Sequence, residues 1–356
     1  DKHEWETLPE GDVGLRTPAG GGPIAGEFNA TPMNDGSLYG TFRTIDGWSC
    51  HACSRDDGRN WEADWMTYTP GGRRVKNPRS ANFVRRLANG KYLYWFCFHG
   101  GQVLGDHPEA AGGAGYAHRN PIWLCGGIET DGRIHWSQPE ILLYDDDIGN
   151  RMSYPDFIED GERVFYTETQ KTVARVHEID RRLLDAVWSQ HEACAVADNG
   201  LVLDLAADDC AAGARVDMPE LPDLHDRGGA YVDAETGATH GASSARAVTA
   251  RGGFALELRL RFDALTPWQV VFDSRGPEGR GLLVQLTDRG TLKLHITGRA
   301  WAVPGARFGN GLVEAACACD TGLLQPGAEH LVLFNVDAGP RLMTTDRKST
   351  RLNSSH

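Results

Sequence analysis

Between residues 34 and 161 the chain is punctuated by Asn34-Asp35-Gly36, Asp56-Asp57-Gly58, Asn89-Gly90, Asp131-Gly132 and Asp160-Gly161. Each turn is flanked by runs that alternate apolar and polar residues. Asn-Gly and Asp-Gly favour tight turns with positive φ, whose twist matches that of two antiparallel strands. A chain turned back so often leaves no room for long helices or parallel crossovers. Its strands pair with their sequence neighbours.

The runs group into repeating units. The first extends from residue 27 to about residue 68, with strands at 27–33, 37–44 and 49–54 and a last one opening at Trp61. The second runs through 81–84, 91–96, 121–126 and 134–143, interrupted by a Gly-rich stretch at 100–115. The third covers 154–158, 163–169 and 174–179. Repeated four-stranded antiparallel units predict blades of a β-propeller. After about residue 188 the character changes: 195–245 is rich in Ala, Asp and Gly, and strands then return at 254–262, 282–287, 291–297 and 330–336. Their apolar stripes predict two sheets packed face to face. The expectation is an all-β chain with about three propeller blades over 1–190, a β-sandwich over 191–345, and little helix anywhere. Forty-three glycines and ten tryptophans fit that class.

Charge narrows the partners. Lys+Arg 36 against Asp+Glu 49 gives a net charge of −13, which argues against nucleic acid or an anionic membrane surface. No apolar run approaches the roughly 20 residues of a membrane-spanning helix. Cys50-His51-Ala52-Cys53 has metal-ligand spacing, but no second pair completes a four-ligand site. The eight cysteines are expected as small buried strand residues, and no metal or cofactor is expected. The last eleven residues, 346–356, lack periodicity and resemble the in-frame translation of a DNA-sequencing adapter. They are expected to lie outside the fold, with both ends of the chain truncated and the sandwich incomplete.

Ser54-Arg55-Asp56-Asp57-Gly58-Arg59-Asn60-Trp61 fits the pattern S-x-D-x-G-x-x-W, and Asp131 to Trp136 is a degenerate copy. Asp56 can accept backbone N–H groups of its own turn, Gly58 supplies positive φ, and Trp61 wedges against a neighbouring strand. The motif resembles the Asp-box of sialidase-like propellers and marks fold, not chemistry. Residues 27–43, from Glu27 through Asp35-Gly36 to Arg43, resemble the exo-sialidase segment in which a Glu partners the nucleophile and an Arg grips the substrate carboxylate. Arg119-Asn120-Pro121 is similar to the stretch carrying another of that family's arginines, and Ser153-Tyr154-Pro155-Asp156 to the strand presenting its nucleophilic tyrosine. The similarity spans residues 20–180. The second half resembles a laminin-G or concanavalin-A-like sandwich on strand spacing alone.

What the resemblance implies is a retaining glycoside hydrolase acting on glycans with a terminal acidic sugar. Tyr154 would be the nucleophile, Glu27 its base, and Arg43 and Arg119 the carboxylate clamp. A neutral phenol avoids the repulsion that a carboxylate nucleophile would meet at an anomeric carbon bearing its own carboxylate. Such a protein would be extracellular or periplasmic. Its family also carries a catalytic aspartate, a further arginine and a six-bladed ring, none of which this sequence displays, so the chain itself is expected to be inactive. Each candidate also suits an ordinary strand position. Arg79, Asp156, Glu168, Arg175 and His177 lie near the same strands without an assigned role. A glycan-binding propeller without catalysis, or a protein-interaction scaffold, are the alternatives.

Overall fold

The computed structural model describes residues 8–9, 14–22, 24–68, 72–98, 119–145, 151–170, 172–190, 201, 203–206, 231–232, 239–240, 253–277, 279–299, 312–337 and 342–348. The chain divides between Ala193 and Cys194 into two compact units. The Gly-rich stretch 100–115 and nearly all of 195–245 lie outside the described residues.

The first unit holds three antiparallel sheets placed side by side like propeller blades. Blade one is the meander β1 (Ile24–Pro32), β2 (Leu38–Thr44), β3 (Cys50–Ser54) and β4 (Glu62–Trp65). Blade two contains β5 (Phe83–Arg86), β6 (Tyr92–Cys97), β7 (Ile122–Thr130), β8 (Arg133–Trp136) and β9 (Glu140–Leu143). Both β8 and β9 pair with the same edge of β7, at 127–130 and 122–124 respectively. They form one outer strand broken around Pro139, which cannot donate to the ladder. Among the described residues blade three has β10 (Phe157–Asp160), β11 (Arg163–Gln170) and β12 (Val173–Glu178). The third unit thus shows three of the four expected strands among the described residues.

After β12 the chain enters a helix, α1 (Arg181–Ser189), where little helix was expected. Asp180 caps it by accepting the Arg182 N–H at 2.8 Å. Leu184, Val187 and Trp188, spaced three and four apart, form its buried face. That face lies on β7 at Gly126, where a Cβ would stand 2.7 Å from the Trp188 ring and 2.8 Å from Val187. Only glycine lets the helix approach so closely. The Trp188 indole N–H donates to the Tyr92 carbonyl at 3.1 Å.

Hydrogen bonds fix the order and direction of the blades. Asn29 Oδ1 accepts from the Val84 N–H at 2.8 Å, and Thr31 Oγ1 from the Arg86 N–H at 3.0 Å. Glu159 accepts from the Ala88 N–H at 3.0 Å, and Arg85 meets Asp156 at 3.3 Å. Both series rise together in number, so β1, β5 and β10 run in the same direction. A buried polar seam joins blades one and two: Trp136 Nε1 donates to the Tyr39 hydroxyl, which meets His51 Nδ1 at 2.8 Å. Burial there pushes His51 down to about 4 and the Tyr39 phenol well up. Blades two and three share an apolar core of Leu93, Trp95, Ile122, Phe157, Tyr166 and Trp188 among others. The opposite face of blade three leaves Ile158 and Val176 exposed.

The second unit is a β-sandwich. A short pair, β13 (Tyr231–Val232) and β14 (Thr239–His240), precedes it. One sheet runs β15 (Gly253–Arg261), β20 (Glu329–Asp337), β21 (Leu342–Lys348); the other runs β16 (Val270–Asp273), β17 (Gly281–Leu286), β18 (Leu292–Arg299), β19 (Leu312–Ala318). Leu282, Val284, Leu294, Val332 and Phe334 close their shared core. β21 continues through Asp346 to Lys348, past the boundary at 345 expected from the tail's lack of periodicity and its adapter-like sequence. Backbone ladders are indifferent to side-chain periodicity. The described cysteines are free thiols, with Cys50, Cys97 and Cys125 buried in strands.

Candidate functional site

Because β1, β5 and β10 run alike, their first residues share one end of the first unit, and β2, β6 and β11 end there. Glu27, Arg43, Arg119 and Tyr154 all belong to this end. The Asp-box turn leaves β3 at the other.

The Asp-box turn is built from its own residues. Ser54 Oγ donates to Asp56 at 2.9 Å and accepts from the Gly58 N–H at 2.9 Å. Asp56 also accepts from the Asn60 backbone at 2.8 Å and its side-chain amide at 2.6 Å. These bonds, those from Asn60 foremost, hold the Asp56 carboxyl below its ordinary range. Gly58 sits at φ +86°, and the Trp61 indole donates to its carbonyl at 2.9 Å while meeting Phe28 edge-on.

At the near end, the four candidates fall into two groups. Glu27 lies on a β-bulge where the register of β1 slips between Ile24 and Phe28. Its carboxylate stands 2.9 Å from Arg43 Nη1, an ion pair between largely buried side chains. Tyr154 sits where the inner edge of blade three is likewise broken. Ser153 pairs with Thr169 and Phe157 with Tyr166, so one extra residue is accommodated between them. Arg119 Nη1 donates to Ser153 Oγ at 2.8 Å, and Nη2 donates to the Arg79 carbonyl at 2.9 Å. No hydrogen bond joins the Tyr154 hydroxyl to Glu27, where the sequence expects one; the carboxylate lies on Arg43 instead.

Glu27 and Tyr154 share an unusual backbone. In the first unit, the described non-glycine residues with positive φ are Glu27 (+60°), Asp57 (+57°), Asp131 (+53°) and Tyr154 (+54°). The two aspartates occupy tight turns, where Asp tolerates this region. Glu27 and Tyr154 do not, and such strain costs on the order of 1–3 kcal/mol per residue. Tyr154 is 61% exposed, so its ring faces solvent and not a core.

Two neighbours without a role in the sequence reading complete this end. Glu168 is fully buried, with Oε1 3.1 Å from Arg175 Nη1 and 3.5 Å from His177 Nε2. Its other oxygen makes no hydrogen bond. His177 stacks on Tyr166, whose phenol is raised by burial and by the Glu168 charge. The signal was available in the alternation Val164, Tyr166, Glu168, which places the carboxylate on the inward face. Ser153 was missed because its importance lies in what it touches. Three arginines at this end already have partners within the protein: Arg43 pairs with Glu27, Arg175 with Glu168, and Arg119 with Ser153 Oγ and the Arg79 carbonyl. Among the described residues no group of His, Cys, Asp and Glu could hold a metal ion, and no helix is long and apolar enough to cross a membrane.

No family model matches the sequence, and no curated protein matches it. Solved structures do. The K499G mutant of NanB sialidase from Streptococcus pneumoniae aligns at 13% identity and a TM-score of 0.31, over 44% of this chain and 23% of that one. The intramolecular trans-sialidase from Ruminococcus gnavus, in complex with oseltamivir carboxylate, aligns at 14% and 0.32, over 45% and 34%. Trypanosoma rangeli sialidase in complex with sialic acid aligns at 12% and 0.26, over 88% and 51%. The chain therefore spans between about a quarter and a half of these proteins.

Proposed function

We propose that the first unit carries the nucleophile half of a sialidase-type site for glycans ending in an acidic sugar. The observation that carries this reading is the left-handed backbone of Glu27 and Tyr154, held outside any turn at the same end of the blades. Strain of that kind persists where the surroundings over-determine it, and it clusters at functional sites. Tyr154 Oη attacks the anomeric carbon, and its proton passes to Glu27. The leaving oxygen departs, and water later releases the sugar with retained configuration. Arg43 supplies a guanidinium group for the sugar carboxylate. In the ligand-free chain Glu27 rests on Arg43; an incoming carboxylate competes for Arg43 and frees Glu27 to serve Tyr154. A substrate of this class places the protein in the extracellular or periplasmic space. The Glu27–Arg43 pair also favours a second reading, a glycan-binding propeller that has lost catalysis.

No residue is assigned here as the acid that protonates the leaving oxygen. General acid catalysis supplies typically 10²–10⁴ in rate, so the proposal expects binding without appreciable turnover of ordinary sialosides. Ligand-observed NMR with free sialic acid and with a neutral hexose tests this. Sialic acid should bind and the hexose should not, with binding lost in Arg43→Ala. Equal signals from both sugars, or binding that survives Arg43→Ala, would overturn it.

A further inference from the structure

Arg119 spends two of its guanidinium nitrogens on the protein itself, and one of the groups it holds, Ser153, immediately precedes Tyr154. Ser153, immediately before Tyr154, is buried. Its N–H donates to the Thr169 carbonyl at 3.1 Å, and its carbonyl accepts from the Thr169 N–H at 2.9 Å. On the other side, the Asp156 N–H donates to Thr167 Oγ1 at 2.9 Å and its carbonyl accepts from the Thr167 N–H at 2.9 Å. Tyr154 is thus clamped at both flanks in a backbone conformation that a tyrosine seldom adopts. The ladder bonds position Ser153 within blade three. The Arg119 fork, from Ser153 Oγ to the Arg79 carbonyl ahead of β5, ties this segment to blade two, alongside the Met152 N–H donated to the Arg119 carbonyl at 3.4 Å and the Arg85–Asp156 ion pair at 3.3 Å.

We infer that Arg119 is a positioning residue for Tyr154, a strut that acts through Ser153 and sets where the exposed phenol stands relative to the neighbouring blade. The inference rests on the reading of Tyr154 as the working residue of this site. It changes the part played by Arg119, from a clamp on the ligand's carboxylate to a brace on the protein's own nucleophile. A guanidinium suits the task because its planar fork bonds two acceptors at once in a fixed geometry. A lysine in its place reaches one of them at a time.

The strut and the clamp make opposite demands on Ser153. With 3-fluorotyrosine incorporated at position 154 of the full chain, the ¹⁹F resonance reports the ring's surroundings directly. The strut predicts that Ser153→Ala and Arg119→Lys each shift or broaden this resonance. It also predicts that the double variant does no more than either single one, since all three break one linkage. Sialic acid affinity should then fall by a similar factor in Ser153→Ala and Arg119→Lys. The clamp predicts that affinity drops about tenfold or more in Arg119→Ala, with Ser153→Ala silent and the ¹⁹F signal unmoved in both, and that outcome overturns the inference. If sialic acid fails to bind even the parent chain, the proposed function falls while the ¹⁹F comparison still decides the strut. Ser153→Ala removes a single oxygen, so it carries the test should an Arg119 variant misfold.

Discussion

The two ends of the blades hold left-handed residues by opposite means. At the Asp-box, Asp57 and Gly58 are fixed by partners two to four residues away, all within 54–61. At the other end, the segment bearing Tyr154 is held by residues 11, 16 and 34 positions distant. A turn that satisfies its own groups is robust and inert, because nothing elsewhere alters it and it alters nothing elsewhere. A bulge held by β11 and by Arg119 ahead of β7 takes its geometry from the fold. It stays set only while those elements stay in place, which suits a residue whose task is to meet a ligand.

That contrast is open to attack at each end. The largest effect is expected at Glu168. Removing this buried carboxylate in Glu168→Ala takes the ionic partner from Arg175 and His177, which are themselves partly exposed. Losing hydrogen bonds to a charged group typically costs about 1.5–3 kcal/mol, so the midpoint of urea unfolding should drop. A change below about 1 kcal/mol would mean that the near end is held together some other way. A smaller loss is expected at the Asp-box. Asp56→Ala removes three hydrogen bonds of a local turn and should lower the urea midpoint by less than Glu168→Ala does. Sialic acid binding at the near end should not change. If Asp56→Ala weakens that binding, the two ends are not independent and the comparison collapses.

How much of this was legible in the sequence follows the same division. The hairpin turns, the Asp-box and the strands of the sandwich depend on residues close in sequence, and they appear where turn chemistry and alternation place them. The helix α1 is announced locally by Asp180 and by the Leu184, Val187, Trp188 spacing, yet the reading of the third unit stops at residue 179. The broken outer strand of blade two follows from Pro139, a local signal that was passed over. The site divides likewise. The residues themselves could be named from a pattern, but their partners could not. Nothing near Glu27 shows that it rests on Arg43, and nothing near Arg119 shows that it reaches Ser153. Those contacts arise from the shared direction of β1, β5 and β10.

The central claim, that Tyr154 is a nucleophile presented by its bulge, is tested most directly by covalent capture. A sialosyl fluoride carrying an electronegative substituent at C3 needs little help from an acid, because fluoride leaves readily, and the substituent slows release of the intermediate. Intact-mass measurement followed by peptide mapping of the treated chain would locate any sugar it gains. The account predicts one sialosyl group on Tyr154, with fluoride lost from the anomeric carbon and the phenol proton passed to Glu27, and no labelling in Tyr154→Phe. A chain saturated with the reagent that remains unlabelled, or one labelled equally in Tyr154→Phe, would contradict it.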